Sequence, residues 1–310
     1  MSATPEAVDK VTPGRAAASG GIGERPRRTG VAGRVVEFFS GGIPQIVLLV
    51  VAVFWLVPAL GLLIASIRTE SANNRNGWWN ALTAPAELTT HNYAQILQNN
   101  TIISSFWNTV IITVSATVLV VVIASLAGFA FAWMEFPGRD WAFLVVVGLL
   151  VVPLQVALIP VAQLYNKLHI FGTLPAVILF HVGFGLPFAV FLLRNFFAGI
   201  PRDLLEAARM DGSTEFGIFR KVIVPLGLPA IASLAIFQFL WTWNDLLVGL
   251  VFAGPGSRPL AVAIQQQTRQ FGTNIDVISS AAFLSMVVPL VVFFAFQRYF
   301  VQGVLAGSVK

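Results

Sequence analysis

Few residues in this chain can do chemistry, and those few point to contacts with other molecules rather than to bond making. There is no cysteine, and the three histidines, His91, His169 and His181, lie far apart. Disulfides, thiolate metal sites and cysteine nucleophiles are excluded, and little is left for a histidine metal site. No G-x-x-x-x-G-K-S/T phosphate loop occurs, so the chain does not hold ATP in the P-loop manner. Two kinds of group remain. The first is Glu206-Ala207-Ala208 with Asp211 and Gly212 in the polar segment 194–221. A carboxylate beside two small residues offers a low surface that another backbone can approach, and Gly212 stands where a helix end needs positive φ. The second is a sparse set of polar groups inside apolar runs: Gln155, His181, Gln238, Asn244 and Asp245. Ionisable groups at membrane depth are functional candidates by default. Amides and imidazoles there serve either an interhelical hydrogen bond or a solute.

The elements that position these groups follow from composition. The chain has 310 residues, 56% hydrophobic and 11% charged, with a mean hydropathy of +0.80. Soluble domains carry about 25% charged residues, so an ordinary soluble enzyme and a disordered chain are both excluded. Long apolar runs lie at 43–67, 106–133, 141–166, 168–193, 222–252 and 277–297, with Asp245 in the fifth as their single charge. Each exceeds the roughly 20 residues needed to cross a hydrocarbon core. The expectation is an all-α membrane protein with six transmembrane helices, because a helix satisfies its own backbone in lipid. The runs do not alternate as barrel strands do. With the N-terminus inside, 14 of the 19 Lys and Arg residues fall on inner segments. Both termini are therefore expected in the cytoplasm, and the net charge of +5 reflects basic loops rather than a nucleic-acid partner. Residues 1–40 read as a disordered cytoplasmic tail. The apolar stretch after them is too long for a cleaved signal peptide.

The segment 194–221 departs from the short-loop pattern. Pro201 suits a first helical turn, Asp203 and Glu206 favour the helix dipole, and Gly212 suits the C′ position. Ser213 or Thr214 then caps a second helix that runs through Phe216 and Phe219 to Pro225 and the fifth span. Such an exposed amphipathic element either docks another protein or lies on lipid headgroups.

Glu206-Ala207-Ala208, three residues, Gly212, nine residues, then Val222-Ile223-Val224-Pro225 resembles the E-A-A-x3-G-x9-I-x-L-P signature of ABC importer permeases. Val222 and Val224 stand for the usual Ile and Leu. Asn195-Phe196-Phe197, Ile200-Pro201, Trp243-Asn244-Asp245 and the ending from Gln297 to Lys310 are similar to the maltose-type carbohydrate permeases, in particular the smaller permease subunit. The resemblance covers roughly residues 43–310. It implies a type I importer (MetI-like) permease fold over 41–303, in a bacterial inner membrane.

The resemblance further implies a non-catalytic subunit that binds no cofactor, with ATP and Mg held by a separate ATPase present as two copies. A second permease would form a heterodimer with this chain, and an extracytoplasmic solute-binding protein would deliver a sugar, a di- or oligosaccharide. Glu206, Ala207, Ala208, Asp211, Gly212 and Pro225 would be the ATPase-coupling element, with Glu206 pairing to a basic ATPase residue or capping the turn. Residues 304–310, including Gly307, Ser308, Val309 and Lys310, read alone as a frayed end; the resemblance adds insertion between the ATPases. Gln155, Gln238, Asn244 and Asp245 are pathway candidates, with Asp245 either an interfacial residue near the outer surface or part of an outer gate. The outer loops 68–104 and 254–276 would meet the binding protein. Other readings of the chain are an importer permease for glycerol-phosphate or a similar solute, a self-sufficient secondary transporter, and an intramembrane enzyme. The last lacks a convincing set of His, Cys or paired carboxylates at depth, and only an importer permease has a use for the 194–221 signature.

Overall fold

A computed structural model describes residues 42–271 and 275–308. The expected tail 1–40 and the last two residues, Val309 and Lys310, lie outside them. Helices, in chain order, are α1 (Gly42–Ser66), α2 (Glu70–Arg75), α3 (His91–Gln98), α4 (Asn100–Trp133), α5 (Arg139–Leu149), α6 (Leu154–Lys167), α7 (Leu174–Ala198), α8 (Arg202–Met210), α9 (Glu215–Trp243), α10 (Leu247–Phe252), α11 (Leu260–Phe271) and α12 (Ile275–Ser308). The described residues contain no strand, only two isolated bridges, Arg68–Leu88 and Gly172–Ala253. The described residues up to Trp55 belong to one unit and those from Leu56 to another. In the first, Ile46, Leu49, Phe54 and Trp55 are all exposed. The core described next belongs to the second.

Five helices are long and apolar enough to span a membrane by themselves: α1, α4, α7, α9 and α12. The neutral run 141–166, expected as one span, instead forms α5 and α6, bent by 103° at a short break. Pro153 sits at the break as the N-cap of α6. Its ring disfavours helical backbone at the residue before it, and it has no N–H to continue the ladder. Neither limb, at ~1.5 Å per residue, crosses a ~30 Å core alone; as a pair they form either a broken sixth span or a re-entrant loop. The fifth run also differs from its expected extent. Its helix ends at Trp243, and residues 247–252 form the separate α10.

The tightest pairing is α4 against α7. Ala116, Val120, Ala124 and Gly128 recur every fourth residue along one face of α4, and all are buried. Without a hydrophobic drive inside lipid, small residues gain from close backbone approach and dispersion. At Gly128 a Cβ would sit 3.1 Å from the Arg194 nitrogen and the Leu193 Cβ. The same core continues through Leu193 and Phe197 of α7, Ile218, Ile223 and Leu234 of α9, and Leu205 of α8. Thus the short helix outside the spans shares a core with the longest spans.

At the opposite end, α1 leaves its last carbonyls without helical partners, and a lobe formed by residues 66–98 supplies them. Asn73 Nδ2 donates to Ala65 O (2.8 Å). Asn92 Nδ2 donates to Ser66 O (2.9 Å) and Arg68 O (2.8 Å). Ser280 of α12 donates to Ser66 O as well (2.9 Å). Arg68 is fully buried, ion-paired to Glu87 at 2.6 Å, and its guanidinium donates to Gly77 O at 3.0 Å.

Candidate functional site

The elbow between α7 and α9 carries the expected coupling residues. Pro201 is the N-cap of α8, one position before the helical turn. At the other end Gly212 has φ +79. Its N–H donates to Arg209 O and that of Ser213 to Ala208 O, both at 3.0 Å. This pair of bonds is a Schellman cap, which needs a left-handed residue at Gly212. Thr214, not Ser213, caps the next helix, its hydroxyl accepting the Gly217 N–H at 3.2 Å. Arg209 grips Glu215 through two bonds of 2.9 and 3.3 Å. That hydrogen bond holds the Arg209 guanidinium above its ordinary pKa. The two short helices are locked into one angle.

Leu205 faces inward and is fully buried, while Leu204, Glu206, Ala207, Met210 and Asp211 face outward. Met210 is 84% exposed. Within this chain Glu206 does not cap the turn; it pairs with Arg202 one turn back, at 2.9 Å. Both groups are largely exposed, so the pair is easily exchanged for another partner. Past the elbow, α9 widens to a π turn over Phe219–Ile223. Pro225 lies just beyond. It cannot donate to the Lys221 carbonyl and crowds it, and a widened turn accommodates both effects. Trp133 of α4 donates to Phe197 O (2.9 Å), tying the end of α4 to the elbow.

The pathway candidates separate. Asp245 lies in the break after α9. Its Oδ2 accepts the Val248 and Gly249 N–H groups at 2.9 and 3.3 Å, capping α10. His181 Nε2 is 3.7 Å from that oxygen, and its ring meets Trp241 edge-on at 5.2 Å. Gln238 is buried; its Nε2 donates to Thr242 at 3.1 Å, and its amide lies over Gly185, where a Cβ would not fit. Asn244 faces another way. It donates to Leu240 O and lines a cavity of about 360 Å3 with Ser285, Pro289 and Phe293. Gln155 is exposed at the start of α6, away from both groups. The apposition of His181 and Asp245 was not legible in the sequence, since they are far apart along the chain. The aromatic pairs Phe184/Phe188 and Phe237/Trp241 were also missed. Their signal is the i, i+4 spacing that places each pair on one helix face.

The outer loop 254–276 is more structured than a connector. Ser257 Oγ donates to Gly172 O (2.8 Å), Asn108 Nδ2 donates to Gly256 O and Arg258 O (3.1 Å each), and from Leu260 the chain is helical. Residues 272–274 of this loop are outside the described set. Trp79 is exposed at the far side of the 66–98 lobe, whereas Trp78 packs on Gly61.

Residues 121–306 match the family model described as "Binding-protein-dependent transport system inner membrane component". The chain is 45% identical to the osmoprotective compounds uptake permease protein of Synechocystis sp., over 92% of this chain and 98% of that one. It is 48% identical to the alpha-glucoside transport system permease protein of Rhizobium meliloti, over 80% of this chain and 67% of that one. Among solved structures, a chain of a bacterial ABC transporter involved in the import of the acidic polysaccharide alginate superposes with a TM-score of 0.73. That match is 19% identical and covers 87% of this chain and 98% of the other; it speaks to the fold.

Proposed function

The chain belongs to the family of binding-protein-dependent transport system inner membrane components, and from that premise we propose that it carries a sugar, a di- or oligosaccharide of the glucoside class, across the membrane. As a member it is a membrane-embedded permease of an ABC importer. Of the two relatives just described, the one named for alpha-glucosides supports a glucoside as cargo; the other is named for osmoprotective compounds.

The observation that carries the mechanism is the elbow. Helix α8 presents Leu204, Ala207, Met210 and Asp211 outward while Leu205 anchors it in the core that runs into α7 and α9. A push on α8 is therefore a push on both spans, because the Schellman cap, the Thr214 cap and the Arg209–Glu215 pair leave the joint little freedom. In this reading two ATPase subunits, holding ATP and Mg, dock against α8, with Glu206 released from Arg202 to meet them. The chain itself hydrolyses nothing and binds no cofactor. Both termini lie in the cytoplasm, and residues 304–310 reach the ATPases. A second, different permease completes the pathway, and the outer surface around Trp79 and Pro255 receives the binding protein.

Purification from the native membrane in mild detergent tests this. An ATPase and a second permease are expected to come with the chain. Hydrolysis in proteoliposomes should rise with a binding protein loaded with trehalose, sucrose or maltose. A chain that purifies alone and moves solute down an ion gradient would overturn the reading.

A further inference from the structure

Between α7 and α9 lies a cleft of about 270 Å3. Phe184 and Phe188 line one wall, Phe237 and Trp241 the other, and the Gln238 amide forms the floor where Gly185 leaves room for it. Gly185 is the twelfth of the 25 residues of α7, so at ~1.5 Å per residue the floor lies near the helix midpoint. Helix α4 packs on both α7 and α9, and none of its residues line the cleft. A surface made for acyl chains has no need of an amide at this depth. The exposed face of α1, from Ile46 to Leu60, has none.

We propose that this cleft binds one pyranose ring of the transported sugar, stacked on Trp241 and Phe188 and hydrogen-bonded to Gln238. This rests on the sugar-importer reading and assigns this chain a direct contact with the cargo. A pyranose has two faces of axial C–H groups and a rim of hydroxyls. Aromatic walls with one fixed amide match both features, in the manner of small-molecule sites that are mostly apolar with few placed polar groups. The volume is just under the ~300–1,000 Å3 of drug-sized pockets, so it takes one ring rather than a disaccharide. The Trp241 ring is held from behind by His181, which is itself buried beside Asp245. The wall is thus preset before the sugar arrives, which limits the ordering cost of binding.

The test uses the complete transporter in proteoliposomes with saturating loaded binding protein, and reads sugar uptake and ATP hydrolysis together with trehalose, sucrose and maltose as probes. Trp241→Ala, Phe188→Ala and Gln238→Leu are each expected to lower sugar moved per ATP about tenfold, the effect of losing a contact of ~1.4 kcal/mol. Stimulated hydrolysis should stay within about twofold of the unmodified protein, and Trp241→Phe should recover much of the loss since it keeps a ring. Trp241 and Phe188 are 38% and 46% exposed, so these truncations open no core cavity. An unchanged ratio in all three variants would make the cleft a seat for lipid or for a partner side chain, and would overturn the inference while leaving the sugar reading intact. Uptake and hydrolysis falling together, with no recovery in Trp241→Phe, would reduce these residues to structural ones and also overturn it. If the unmodified transporter moves none of the three sugars, both readings fall.

Discussion

The two ends of the bundle are built on opposite plans. The elbow of residues 202–225 is held by bonds between near neighbours in sequence. Arg202 meets Glu206 four residues on, Arg209 meets Glu215 six residues on, and Thr214 caps Gly217 three residues on. The far lobe is held by bonds that reach across the chain. Arg68 pairs with Glu87 across 19 residues, Asn92 reaches Ser66 across 26, and Ser280 reaches Ser66 across 214. The elbow leaves most of its polar groups exposed, whereas the lobe buries Arg68, Asn92 and Ser66. The elbow, proposed above as the docking element, keeps its surface free and its joint stiff. A platform that closes the end of a helical bundle must instead satisfy orphan carbonyls in a dry site.

Substitutions at the two ends should therefore fail differently. Arg68→Ala should have the largest effect on stability, since removing one partner of a buried pair costs about 3–5 kcal/mol. Glu87 is 21% exposed, so water relieves part of this and the lower end of that range is expected. A fall in the unfolding midpoint of the purified complex, with faster proteolysis within residues 70–98, checks it; an unchanged midpoint would contradict the account of the lobe. Gly212→Val comes next. A left-handed conformation costs an ordinary residue about 1–2 kcal/mol, and a β-branched side chain is worse placed still. The strain is local, so the midpoint should move little while sugar-stimulated ATP hydrolysis and uptake uncouple. Normal transport by this variant would remove α8 from the coupling role.

Asp245→Ala should cost about 0.5–2 kcal/mol by uncapping α10, whereas Asp245→Asn, also a good N-cap, should be nearly neutral in stability and uptake. Loss of uptake in the Asn variant with stability retained would assign the carboxylate a charge-dependent role beyond capping. Glu206→Gln should have the smallest effect on stability, because exposed i, i+4 pairs contribute about 0.3–0.5 kcal/mol. Any large drop in coupled hydrolysis would then come from a lost contact with the ATPase. If hydrolysis is untouched, the contact rests on Leu204, Ala207 and Met210 instead.

Legibility followed the same division. The Gly212 turn, a cap at Ser213 or Thr214 and the entry of the chain into α9 were readable because each is a bond between residues a few positions apart, written in residue type. The long spans were readable from neutral runs. The break at Pro153 was visible as a proline within a run, but a proline can kink a helix or end it, and the choice depends on what packs there. The end of α9 at Trp243 carried no such punctuation. Asp245 read as the one charge of the fifth run, near its outer end, and nothing in the sequence showed that it caps a separate short helix.

By itself the sequence determined which segments are long and apolar enough to enter a membrane, where the elbow turns, and that no P-loop motif is written in it. These follow from transfer free energies and local backbone preferences, which depend on a residue and its near neighbours. Only the tertiary structure decided that Arg68 is buried within a cage of carbonyls and a carboxylate. It alone placed His181 beside Asp245, turned Gln238 and Asn244 toward different cavities, and set four aromatic rings around one amide. Such arrangements depend on which helix faces meet, and in lipid that is set by close packing of small residues and by hydrogen bonds between distant positions.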